Sequence, residues 1–178
     1  MMNEIIDICI NETSKNPIEI IRKMMNSSFC HIHGPEHHMM VGASLLTAYK
    51  NAGGDIDLLS SLNEMQKRTS NVPGGACGNW GACGAGISTG MFISIITGAT
   101  PLTNENWKLA NTMTSRSLEA IGSTGGPRCC KRDSYSAILS AIDFVKDNLN
   151  IEMEKENVQC YHYPQNSQCI GNRCPYRG

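Results

Sequence analysis

Long apolar runs, blocks of basic charge and strand-like alternation are all scarce in this sequence, and each scarcity removes a class of protein. The longest apolar stretch, residues 87–99, is interrupted by Gly90 and is too short to span a bilayer, which argues against a membrane protein. The opening Met1-Met2-Asn3-Glu4-Ile5-Ile6-Asp7 carries acids where a secretion signal would carry Lys or Arg, so a cytoplasmic location is expected. Fifteen basic residues stand against sixteen acidic ones, for a net charge of −1 and no basic block. Nucleic-acid binding therefore has little electrostatic support. Strand signals are confined to a loose alternation over residues 151–158, and no internal repeat marks a solenoid.

Helical signals recur instead. Ile5, Ile6, Cys9 and Ile10 share one face. Asn16-Pro17-Ile18-Glu19 reads as a cap, a first-position proline and an early acid. Gly34-Pro35-Glu36 opens a helix that turns Val41, Leu45 and Tyr49 inward, and Asp55 is expected to cap the next. Further helices are expected over about 80–97, about 105–121 and from Asp133 onward. The expectation is an all-α fold of about seven helices over residues 1–150, with an irregular cysteine-bearing tail, 151–178, packed on it.

At 178 residues the chain buries roughly 70% of its extended surface and needs no disulfides, so its nine cysteines require another explanation. Their odd number fits a paired secreted framework poorly, and reduced cysteines in groups are more often metal ligands or redox groups. Cys9, on an apolar helical face, reads as a core residue. The tail carries Cys160, Cys169 and Cys174, spaced C-x8-C-x4-C and followed by Pro175. Thiolates hold iron–sulfur clusters, and Cys-Pro closes the ligand run of many ferredoxins, so this trio is the expected metal site. A structural zinc is the alternative and needs a fourth ligand such as His162.

Three further segments bear chemistry. Cys77 and Cys83 each lie in a Gly-Ala-Cys-Gly unit within residues 74–84. Cys83 is expected in the first turn of a helix, where the positive dipole end lowers a thiol pKa. Gly84, Gly86 and Gly90 imply that this helix packs very tightly on a neighbour or a cofactor. Gly125 to Arg132 places Cys129 and Cys130 among Arg128, Lys131 and Arg132. Adjacent side chains diverge, so one of the two cysteines ligates or reacts while the other packs. Cys30 opens the run Cys30-His31-Ile32-His33-Gly34-Pro35-Glu36-His37-His38. Its histidines offer ligands or proton carriers, with one of His37 and His38 expected to face a site and the other solvent. Cys77, Cys83 and at least one of Cys129 and Cys130 are expected to converge on one pocket, together with one of these histidines. Cys30, Cys77, Cys83 and Cys129 are thus candidate cofactor-binding residues, and Cys130 with His37 the candidate catalytic pair.

Taken together, C-x-x-H-G-P-E-H-H at Cys30–His38, G-G-x-C-G-x-W-G-A-C-G-A at Gly74–Ala85, S-I-I-T-G-A-T-P-L at Ser94–Leu102, G-G-P-R-C-C-K-R at Gly125–Arg132 and the final Cys-Pro carry a resemblance. The chain resembles an uncharacterised cysteine-rich domain family of anaerobic bacteria and archaea, found alone or fused to radical-SAM or methyltransferase domains. The Gly-Ala-Cys-Gly helix is distantly similar to small helical redox proteins with a C…GCAxxG…C…C pattern, from which the tail departs. The resemblance implies an anaerobic setting and a radical-SAM or methyltransferase-type enzyme as partner. The chain itself lacks the C-x3-C-x2-C motif of radical-SAM enzymes and a nucleotide-binding glycine loop, so it is not expected to cleave S-adenosylmethionine.

Three functions compete on this reading. One is an iron–sulfur accessory protein, with a 4Fe-4S cluster, that passes electrons or sulfur. Another is a cluster-dependent enzyme acting on a small sulfur-containing substrate. The third is a zinc-stabilised binding module. The absence of a substrate-sized polar motif favours the first.

Overall fold

The computed structural model describes residues 2–178. Among them are eight α-helices and no strand: α1 (Met2–Ile10), α2 (Pro17–Met25), α3 (Glu36–Asn51), α4 (Leu58–Thr69), α5 (Ala76–Asn79), α6 (Gly84–Thr97), α7 (Glu105–Gly122) and α8 (Cys130–Leu149). The all-α class expected from sequence is therefore observed. No helix among the described residues is long and apolar enough to cross a membrane.

Helix α3 runs through the middle of the bundle. It packs against α1, α2, α4, α6 and α8, and every residue from Glu36 to Ala48 is buried. A helix surrounded in this way has no solvent face, which is why its inward set is far larger than Val41 and Leu45. The polar residues within it remain satisfied. Ser44 and Thr47 donate their hydroxyls to the carbonyls of Met40 and Ala43, each at 2.8 Å. Cys9 is fully buried beside this core, and burial pushes its thiol up to about 11.

The start of α2 follows the sequence. The Asn16 side chain accepts the Ile18 N–H at 3.0 Å, with Pro17 at the first helical position. Elsewhere the expected boundaries move. Asp57, not Asp55, caps α4, accepting the Ser60 N–H at 2.7 Å. The helix expected over about 80–97 starts later, as α6 at Gly84, and a separate single turn, α5, precedes it. Gly81, in the left-handed region at φ +67°, turns the chain between them. This adds a helix to the expected seven and moves Cys83 from the first turn to the cap of α6. Helix α8 starts three residues before Asp133. Its cap is Cys129, whose N–H donates to the Asp133 carboxylate at 3.3 Å, a reach-back that leaves no Ser or Asp signal at the cap itself.

The tail forms no strand over 151–158. It contributes Met153 and Cys160 to the core and is tied to the body at several points. Glu156 accepts from Asn16 Nδ2 at 3.0 Å and pairs with Arg22. Tyr176 shares a 3.0 Å hydroxyl hydrogen bond with Ser136 and meets the Tyr135 ring edge-on at 5.7 Å. The Cys160 N–H donates to the Tyr176 carbonyl at 2.6 Å, closing the tail into a loop.

The glycines of α6 are packing residues, as their low helix propensity implied. A Cβ at Gly90 would collide with Thr114 Oγ1 and stand 2.9 Å from the Ala110 carbonyl of α7. A Cβ at Gly86 would stand 2.7 Å from Leu118. Gly90→Ala is therefore expected to destabilise the protein by about 1–3 kcal/mol, despite alanine's propensity advantage of about 1 kcal/mol. Gly122→Ala, where a Cβ meets nothing within 4 Å, is expected to be neutral or stabilising. Urea unfolding of the two variants checks this; equal midpoints would show that α6 and α7 are not in close contact.

Candidate metal centre

Three helix N-termini meet at one end of the bundle, those of α3, α6 and α8. The approach of α6 to α3 is set by Gly84, where a Cβ would stand 2.6 Å from Cε1 of the His38 ring. Ser88, one turn later, donates its hydroxyl to the His38 carbonyl at 2.6 Å. Together with residues 74–77 these elements enclose a cavity of about 280 Å³. Its lining includes Cys77, Cys83, Cys130, His33, His37, His38, Arg128 and Asp133. A second cavity of about 350 Å³ shares Cys77, Cys83, Arg128 and Asp133 and adds Arg132 and the Gly125-Gly126 turn. The Cys77–Cys83 loop thus lies between two spaces.

The divergence expected of Cys129 and Cys130 is seen directly. Cys130 faces the first cavity, whereas the Cys129 sulfur accepts a hydrogen bond from Asn166 Nδ2 of the tail at 3.4 Å. Asn166 Oδ1 in turn accepts from His33 Nε2 at 3.1 Å, and His33 Nδ1 accepts the Cys130 N–H at 3.5 Å. This relay fixes the His33 ring as the neutral Nε2–H form and joins the tail to the cavity wall. Cys160 lies close enough to Cys129, Cys169 and Cys174 for their charges to bear on one another, although burial is the main influence on its thiol. The sequence-predicted cysteines therefore form two neighbouring groups. One is Cys77, Cys83 and Cys130. The other is Cys129 with Cys160, Cys169 and Cys174.

Cys30 stands apart from both. Its sulfur is 3.7 Å from His37 Nε2 and accepts from Lys131 Nζ at 2.9 Å. His37 Nδ1 is 3.1 Å from the Gly34 carbonyl, to which it donates. His37 and His38 are 1% and 9% exposed, so neither faces solvent, against the expectation that one would. The reason is the enclosure of α3, which is complete from its first turn.

Burial, not the helix dipole, governs the thiols. Cys83 is pushed up to about 12, first by burial and then by Asp133; the backbone N–H groups of Ala85 and Gly86 pull it down without prevailing. The lowering expected at this helix start is thus overturned. Burial also raises Cys130 to about 11. Without a metal these groups are neutral thiols, and a cation that binds here must displace their protons. Neutral imidazole and thiolate together suit a borderline or soft metal.

Sequence reasoning missed Asp133, Glu36 and Asn166. Asp133 is buried, and its carboxylate is raised by burial against the pull of Arg132. Glu36 is 2% exposed, and Asn166 sits between the His33 ring and the Cys129 sulfur. Only Asp133 had a readable signal, its position four residues after Cys129. The contacts of Asn166 reach 133 residues back to His33 and 37 to Cys129.

Burial holds the His37 imidazole well below its usual value, reinforced by Lys131 and opposed by Glu36. A free imidazole takes a proton near pH 6.5, which folded His37 resists. The unfolded chain then binds more protons, so this contribution to stability is present above about pH 6.5 and is lost as pH falls toward the value at which His37 itself protonates. For metal-free protein the urea midpoint is expected to drop between pH 7 and pH 5, and His37→Gln to flatten that drop. Parallel curves for parent and variant would show that His37 is not the group responsible.

No curated protein and no solved structure matches the chain. A family model covers residues 5–177, from α1 to the end of the tail, so helical body and cysteine tail recur together. The chain belongs to this family, a family of unknown function (DUF5714).

Proposed function

We propose that the protein is an iron–sulfur protein that passes electrons or sulfur to a partner enzyme in cytoplasmic, anaerobic metabolism. The observation that carries this reading is the presence of two neighbouring sets of unpaired cysteines: Cys77, Cys83 and Cys130 line one cavity where three helices start, and Cys129, joined to the tail through Asn166, lies near Cys160. Helix N-termini and the nearby Arg128, Lys131 and Arg132 suit the negative charge of a thiolate-ligated cluster. Cys160, Cys169 and Cys174 would hold the cluster, with Cys129 beside them.

The run C-x8-C-x4-C closed by Pro175 supports a cluster over zinc, since Cys-Pro closes the ligand run of many ferredoxins. When bound, such a centre supplies one-electron transfer or an open iron for a sulfur atom. Tyr176, two residues after Cys174, would help to shield it, and Asn166 orients the neighbouring Cys129 sulfur. The family resemblance to domains fused with radical-SAM or methyltransferase enzymes supports a partner of that type.

The first cavity favours a second reading, an enzyme acting on a small sulfur-containing molecule. Its volume of about 280 Å³ could hold such a substrate against Cys130, with neutral His37 as the proton acceptor.

Anaerobic purification followed by iron, sulfide and zinc analysis tests the proposal. Iron and sulfide in comparable amounts are expected, and Cys160→Ala, Cys169→Ala and Cys174→Ala should each release most of the iron while Cys9→Ala keeps it. Zinc without sulfide would overturn the iron–sulfur reading. Full iron retention in all three tail variants would overturn the ligand assignment. Turnover of a thiolated substrate, lost in Cys130→Ser with the iron retained, would favour the enzyme.

A further inference from the structure

We infer that Cys30, Glu36 and His37 form a binding site for a single divalent ion of the zinc class, separate from the cysteine groups assigned above and independent of whether those hold a cluster. A ligand atom from each of the three lies within 4.8 Å of the other two, and among the described residues no other group of three His, Cys, Asp or Glu side chains meets that condition. Two ligands at ordinary zinc distances, about 2.1 Å to nitrogen and 2.3 Å to sulfur, stand about 3.6 Å apart in a tetrahedral site. Cys30 Sγ and His37 Nε2 are 3.7 Å apart.

The surroundings fit the same reading. His37 donates Nδ1–H to the Gly34 carbonyl at 3.1 Å, which leaves Nε2 as the free lone pair. Metal-binding histidines are held in this way, by a hydrogen bond from the other ring nitrogen. The Glu36 carboxylate is 2% exposed and has no Lys or Arg partner among the described residues; its ion-pair contacts are with His31 and His37. The carboxylate accepts the His31 N–H at 2.9 Å, and a divalent ion would supply the full opposite charge that these contacts lack. Gly34 holds it in place, since a Cβ there would stand 2.6 Å from the carboxyl carbon.

Lys131, 1% exposed, donates to the Cys30 sulfur at 2.9 Å. It is the outer partner of the thiolate and leaves Glu36 to the ion. One thiolate and one carboxylate neutralise a divalent charge, and sulfur, nitrogen and oxygen donors together select zinc over magnesium or calcium. Three protein ligands leave the fourth position open, the pattern of zinc sites that bind a water or a substrate atom. His31 Nδ1 stands 3.2 Å from Glu36 Oε1.

Crystals of the full chain soaked in Zn²⁺ and measured at the zinc absorption edge test this directly. An anomalous peak bonded to Cys30 Sγ, His37 Nε2 and the Glu36 carboxylate is expected. In solution, Cys30→Ser, His37→Gln and the near-isosteric Glu36→Gln should each lose one zinc equivalent, or bind it roughly a hundredfold more weakly, whereas Cys160→Ala keeps it. Absence of a peak at the trio, or parental zinc binding in Glu36→Gln, would overturn the site. Iron and sulfide content, which this site does not determine, reports separately on the cluster.

Discussion

Helix α6 can reach α3 only because residue 84 has no side chain. With the His38 ring lying against Gly84, the starts of both helices come together, and α8 completes the ring of termini with Cys130. Everything at this end of the molecule depends on that contact. Cys83 faces the same space as Cys130 because Gly84 lets its helix close in. The loop from Cys77 to Cys83 becomes a wall between two cavities because α6 has nowhere else to begin. The packing of Gly86 and Gly90 on α7 extends the same close fit along α6.

Enclosure brings an electrostatic consequence. A helix start in water would favour the thiolate. Here the same helix start lies inside the protein, and the penalty of placing a charge there outweighs the dipole at Cys83. The site is therefore held as neutral thiols and neutral imidazoles, with positive charge supplied by Arg128 and Lys131 at its edges. Such a site resists chance alkylation and ionises when a metal displaces its protons.

The helical class was legible because apolar periodicity and the Asn16-Pro17 cap are local properties of the chain. The tightly packed glycines of α6 were legible too, since three glycines in one helix need a reason beyond propensity. Boundaries moved at α4, where Asp57 caps in place of the nearby Asp55, and at α8, whose cap Cys129 is held through its N–H by Asp133. The two-sided burial of His37 and His38 was not legible. Their surroundings come from α6 and α8, and no pattern near residues 37 and 38 announces that α3 is enclosed along its length. Glu36 looked like an ordinary acid in a first turn. Asn166 lay in a tail where the cysteines carried the readable chemistry and nothing marked one amide among several.

The relay from Cys129 through Asn166 and His33 to Cys130 links the two cysteine groups by oriented hydrogen bonds. An amide and an imidazole each offer a donor at one end and an acceptor at the other. Reversing either one exchanges those roles on both sides at once. Because the Cys130 N–H can only donate, ring and amide are held in one of their two settings, and the Cys129 sulfur meets an N–H rather than a carbonyl oxygen.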